Sequence, residues 1–110
     1  MNCARAEFPE EKLVVLLDAG HFYQMGIDPS DAASMLGHRL LDVHVHDAKI
    51  GRDCQKATHL PIGKGNMDFP RFVTSLAECG YEGHLTLGVR GSESDIIESK
   101  SYLENLIGST

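Results

Sequence analysis

The feature that most constrains the fold is the run Leu13-Val14-Val15-Leu16-Leu17, apolar at every position. A strand with one wet face alternates apolar and polar residues. A run without alternation marks a strand covered on both faces, as in a parallel sheet. Parallel neighbours cannot be joined by a tight hairpin, so helical crossovers must follow. The sequence supplies them. Asp28-Pro29-Ser30-Asp31 places an N-cap residue, a proline at the first helical position and an acid in the first turn, which predicts a helix from Pro29 to about Leu36 that stops at Gly37. A second strand is expected from Leu40 to His46. Asp68 and Pro70 open another helix, with Phe69, Phe72, Val73 and Leu76 at helical spacing and Gly80 beyond its end. A third strand is expected from His84 to Val89, where Leu85, Leu87 and Val89 share a face opposite Thr86 and Gly88. Ser92 to Asp95 begin a last helix, with Ile96, Ile97, Leu103, Leu106 and Ile107 as its apolar stripe. The order of about three βα units predicts an α/β fold with parallel strands and right-handed crossovers. Three strands are too few for a closed barrel or a complete doubly wound sheet.

Residues 1–110 read as a single domain in which Met1 to Glu11, with mixed charge and Pro9, forms an irregular N-terminal segment. The net charge of -6, from 16 acids against 10 bases without a basic run, does not favour a nucleic-acid partner. No apolar stretch approaches the ~20 residues of a membrane span, and Glu7, Glu10 and Glu11 exclude a secretory signal at the start; a cytoplasmic protein is expected. Cys3, Cys54 and Cys79 lack CxxC spacing, which argues against a disulfide framework or a thiolate zinc site. The segment from Ala48 to Asn66 is too long and glycine-marked for a plain connector, and loops of that kind are usually functional.

Polar residues collect where strands end: Asp18 and His21 after the first, His44, His46 and Asp47 at the second, Arg90 at the third. Parallel α/β folds place their ligands there. Strand parity puts Val43 and Val45 on one side and Asp42, His44 and His46 on the other. Asp18, His44 and either His46 or His59 supply oxygen and nitrogen donors suited to a divalent ion such as Zn, Mn or Mg. The same residues read equally well as capping and loop groups hydrogen-bonded to backbone. Gly63-Lys64-Gly65 is either a cradle for a phosphate or sugar hydroxyl, or an ordinary turn before the Asp68 helix.

Four stretches carry a resemblance to a known family: Asp18-Ala19-Gly20-His21; Val43-His44-Val45-His46-Asp47; His59-Leu60-Pro61-Ile62-Gly63-Lys64-Gly65-Asn66-Met67-Asp68-Phe69; and Gly80-Tyr81-Glu82-Gly83-His84-Leu85-Thr86-Leu87. In this order they resemble the xylose isomerase-like barrel superfamily of sugar phosphate isomerases and epimerases, inosose dehydratases and isomerases, and endonuclease IV. The resemblance implies a (β/α)8 TIM barrel of which this chain supplies the C-terminal portion, the sixth to eighth βα units. It further implies that Asp18 and His44 are metal ligands, that His21 contacts substrate or a second metal, and that His59 lies at the substrate or, as in endonuclease IV, at a metal. His46, Lys64 and Arg90 are expected to face the same sugar or sugar phosphate from their strand-end and loop positions.

Two departures bear on function. The family's other metal-binding glutamates lie on the fifth strand, which only Met1 to Glu11 would approach here, and on the eighth, where Gly88 stands. Isomerisation through an enediol uses those carboxylates as bases, so the expectation is an isomerase- or epimerase-like protein with impaired chemistry and a weak or absent metal. The alternatives are a non-catalytic sugar-binding or barrel-completing module and an endonuclease IV-like phosphodiesterase, whose extra metal-binding aspartate falls at Ala57. Exposed sheet edges predict a homo-oligomer or a missing N-terminal barrel segment.

Overall fold

In the computed structural model, residues 14–50 and 56–109 are described. Met1 to Glu11, Leu13, Cys3 and Cys54 lie outside them. The elements run β1 (Val15–Asp18), α1 (Ala19–Gln24), α2 (Pro29–Leu36), a 3-10 turn (Gly37–Arg39), β2 (Leu40–Val45), β3 (Asp47–Ile50), β4 (Lys56–Leu60), α3 (Phe69–Glu78), β5 (Leu85–Leu87) and α4 (Glu93–Ser109). β1, β2 and β5 form a parallel sheet in that order. β3 and β4 form a separate antiparallel hairpin standing on the C-terminal end of β2.

The helix starts form as their side chains dictate. Asp28 accepts a hydrogen bond from the Ser30 N–H at 2.8 Å, and Asp68 accepts from the Arg71 N–H at 3.1 Å, each ahead of a proline in the first turn. Gly37 and Gly80 end their helices with φ of 51° and 79°, the left-handed region that a side chain disfavours. Ser92 and Asp95 cap α4 reciprocally, Ser92 N–H donating to Asp95 and Asp95 N–H to the Ser92 hydroxyl. No helix among the described residues is long and apolar enough to cross a membrane.

One face of the sheet is packed. Leu17, Val43 and Val45 are buried against Ala33 of α2, Phe69, Phe72, Val73 and Leu76 of α3, and Leu103 of α4. Each such aliphatic side chain contributes about 1.5–3 kcal/mol. The opposite face is open: Val14 is 47% exposed and Leu16 is 49% exposed. A first strand covered on both faces is therefore not what the described residues show. Leu40 pairs with Val15 but Asp42 with Leu16, so Leu41 is an extra residue at a bulge and stands out at 64% exposure.

Other differences are local. The stretch from Ala48 to Asn66, expected as a long functional loop, holds most of the β3–β4 hairpin. A helix not anticipated, α1, follows directly on β1. The stripe on α4 is only part buried: Leu103 and Leu106 pack inward, while Ile96, Ile97 and Ile107 are exposed.

Candidate metal centre at the strand ends

Asp18 ends β1 and is also the N-cap of α1, its Oδ1 accepting from the His21 N–H at 3.2 Å. That single turn of helix brings the His21 ring back over the end of the strand. His46 follows β2, with its side chain completely buried. Its Nε2 lies 2.6 Å from Asp18 Oδ1, and its Nδ1 accepts from the His59 N–H at 2.8 Å. His59, near the end of β4, lies with its Nδ1 2.7 Å from the Gly88 carbonyl beyond β5. The three histidine rings are in mutual contact: His46 and His59 stack at 4.2 Å, and His21 meets both edge-on at 5.1 and 5.2 Å. One ligand atom from each of His21, His46 and His59 falls within 4.8 Å of the others, close enough for one ion. Asp18 Oδ2 sits 3.9 Å from His21 Nε2 at the rim of this group.

Backbone geometry sharpens the reading of His59. Its φ is 59°, in the left-handed region that non-glycine residues rarely occupy. Its N–H, its ring Nδ1 and its carbonyl, which accepts from the Arg90 N–H at 2.7 Å, are all engaged and hold it there. Strain maintained by several contacts at once clusters at functional sites. Burial holds the His46 ring below its ordinary pKa; the Asp18 carboxylate and the Asp47 carbonyl pull upward, the nearby His59 pulls downward, and the neutral ring is favoured.

The remaining expected residues are placed differently. His44 is the register partner of Asp18 on the same face of the parallel pair, but its Nε2 faces Asp42 Oδ2 at 3.4 Å and not the histidine group. Lys64 is exposed, with its charge near Asp95 at the start of α4. Arg90 has an exposed side chain and touches the site through its backbone. Gly63-Lys64-Gly65 is a turn organised by an internal carboxylate: buried Asp47 Oδ2 accepts from the Gly63 and Gly65 N–H groups at 2.9 Å each, and Oδ1 from Ala48 and Met67. Those donors are engaged, so this loop offers no free cradle for a phosphate.

Two glycines matter that the sequence reading did not single out. A Cβ on Gly20 would lie 2.0 Å from His46 Cε1, and one on Gly65 would lie 2.3 Å from the Ala48 carbonyl oxygen. A glycine directly after a strand-ending aspartate was the available signal, since it marks close approach. A cavity of about 300 Å³ lies away from the histidines, between Tyr23, Asp28, Asn66, Asp68 and Arg71. Arg71 there is already paired with Asp28 and Asp31, which leaves its charge matched.

A segment of parallel βα units with an aspartate and three histidines at its C-terminal strand ends defines a piece of a barrel with a ligand site at its mouth. The sequence model of the xylose isomerase-like TIM barrel family matches residues 5–106, and the chain belongs to that family. An uncharacterized protein of Methanocaldococcus jannaschii is 29% identical over 104 residues, covering 92% of this chain and 33% of that protein. The crystal structure of a D-tagatose 3-epimerase-like protein superposes with a TM-score of 0.73 at 27% identity, over 93% of this chain and 37% of that one. Two further structures share the fold: the IolI protein with a bound zinc atom, at TM-score 0.63 and 18% identity over 87% of this chain and 38% of its own, and a xylose isomerase domain protein from Alicyclobacillus acidocaldarius, at 0.62 and 24% over 86% and 37%. The chain thus spans about a third of the length of the relatives it matches. Its fold is that of sugar isomerase- and epimerase-like proteins.

Proposed function

We propose that this chain forms the metal- and sugar-binding end of a sugar isomerase- or epimerase-like barrel, with a small polyhydroxylated sugar or sugar phosphate as its ligand. The observation that supports this most is the convergence of Asp18, His21, His46 and His59 at the strand ends. Imidazole nitrogens beside a carboxylate oxygen suit zinc or manganese. His21, His46 and His59 would hold the ion, with the Asp18 carboxylate beside them as the oxygen donor; His44 is the next donor on the same face. A divalent ion supplies Lewis-acid polarisation of sugar carbonyl and hydroxyl oxygens. His59, held at three points, is oriented before a ligand arrives, and the half-exposed His21 ring meets the incoming sugar.

Moving a proton between adjacent sugar carbons also needs bases at the reacting carbons. Gly88 stands where the resemblance places one of the carboxylates for that task, so this chain binds and orients while turnover requires groups from further βα units. The open face fits the same reading. Leu16 and Val14 are half exposed, and β1 and β5 each have one partner among the described strands. Two copies would bring six such strands, short of the eight of a closed barrel, so completion calls for other βα units, in the same polypeptide or in another chain.

Calorimetric titration with Zn, Mn and Mg, beside light scattering for mass, tests the reading. Saturable binding lost in His59→Ala and Asp18→Ala supports it; no binding by the folded protein overturns it.

A further inference from the structure

We infer that the cavity between the first turns of α2 and α3 is a second ligand site, apart from the histidines, that takes a primary ammonium carried on a short aliphatic stem. The inference stands on this cavity and does not depend on the metal-site reading.

The observation that points to a ligand is Ser30. It lies in the first turn of α2, is 3% exposed and borders the cavity. Its N–H donates to Asp28 Oδ1 and its carbonyl accepts from the Ser34 hydroxyl, but its own hydroxyl has no partner among the described residues. A hydroxyl shut away from water without a hydrogen bond is costly. No buried side-chain oxygen or nitrogen among the described residues is both sealed and unpartnered, so the Ser30 hydroxyl keeps an opening, and the open space beside it is this cavity.

Tyr23 and Asp68 line the same space. Asp68 Oδ1 accepts from the Arg71 N–H at 3.1 Å, which leaves Oδ2, and the Tyr23 hydroxyl is likewise unpartnered among the described residues. Charge then selects the ligand. The Arg71 guanidinium is paired with Asp28 and, at 3.1 Å, with Asp31, so three carboxylates stand against one cation and Asp68 is the unmatched one. Such a balance repels phosphate and attracts a cation. An ammonium has three donors and no acceptor, which suits one carboxylate oxygen and two hydroxyls. Ile27, Met67 and the buried Phe72 supply apolar wall for methylene groups. The volume of about 300 Å³ is at the small end for ligand pockets and limits the stem to a few carbons. Such an ammonium comes from a free alkylamine or from a lysine side chain of another protein.

The experiment is titration of the nitrogen-15-labelled whole chain, followed by amide shifts, with n-butylammonium chloride, butanol, sodium phosphate, and lysine blocked at both ends. The expected result is saturable shifts at Ser30, Met67 and Asp68 with butylammonium at millimolar concentration, binding of butanol at least tenfold weaker, no phosphate response there, and no change on adding zinc. The tighter binder of butylammonium and blocked lysine identifies the source. Asp68→Asn keeps a helix-capping residue and should weaken butylammonium about tenfold; Ser30→Ala should weaken it about threefold. Equal binding of butanol and butylammonium, no saturable shift at these residues, or affinity unchanged in Asp68→Asn overturns the inference. If Asp68→Asn does not fold, the comparison of the two butyl compounds on the unaltered chain decides.

Discussion

Asp18 ends β1 and Asp47 stands two residues beyond the end of its parallel neighbour β2, at the start of β3, and the two aspartates do opposite work. Asp47 is buried, and its two oxygens accept from the N–H groups of Ala48, Gly63, Gly65 and Met67. Nothing of it is left for a ligand. Asp18 is partly exposed, with Oδ1 engaged by His46 and the α1 N-terminus and Oδ2 turned to the rim. A strand-end carboxylate becomes structural or functional according to how many backbone donors its own loop sends back to it. The long segment after β2 returns four donors, while the tight turn from β1 into α1 returns one.

The largest expected effect comes from breaking the structural member of the pair. Asp47→Ala leaves four backbone donors without their acceptor and should cost about 3–5 kcal/mol, read as a fall in the urea midpoint. Gly20→Ala comes next. Its methyl must displace the His46 ring, at about 1–3 kcal/mol of strain, and zinc affinity should fall with the loss of Asp18 alignment. Asp18→Asn sharpens the contrast from the other side: asparagine caps helices as well as aspartate, so stability should change by about 0.5 kcal/mol or less while zinc binding in calorimetry is lost. A large drop in stability with binding retained would invert the roles of the two aspartates.

Gly88→Glu should leave the fold intact, since a Cβ there meets His46 Cδ2 at 3.5 Å and His59 Nδ1 at 3.7 Å, ordinary contact distances. A carboxylate reaching the cluster should tighten zinc on the order of tenfold, the effect of about 1.4 kcal/mol. The smallest effect concerns the helix-side carboxylate Asp28. Burial alone pushes its pKa up, but the Ser30 N–H and the Arg71 guanidinium outweigh that and hold it below the ordinary 3.8. A depressed carboxylate stabilises the fold above its unfolded value and loses that contribution as pH falls through the folded one. A small decline in melting temperature below about pH 4 should therefore shrink in Asp28→Asn.

What the sequence made legible was local. Asp28-Pro29 and Asp68 with Pro70 announce their helices because capping is decided within one turn, and both helices begin where expected. The βα order and the strand-end location of the site followed from the apolar runs. The open face was not legible, because Val14 and Leu16 look the same whether this chain or another covers them. The hairpin was missed because its strands are short and carry Asp47, Lys49 and His59 rather than an apolar alternation. Parity put His44 and His46 on one face but not into one role. That division depends on Gly20, across the sheet, making space for one ring and on Asp42 drawing the other aside.

The central claim is that Asp18 and the histidines His21, His46 and His59 hold a divalent ion at the strand ends. Zinc K-edge X-ray absorption on the loaded protein tests it most directly. The account predicts two or three imidazoles and a carboxylate oxygen in the coordination shell, unchanged in His44→Ala and reduced by one imidazole in His59→Ala. A shell without imidazole, or one that loses an imidazole in His44→Ala while His59→Ala leaves it intact, would contradict the account.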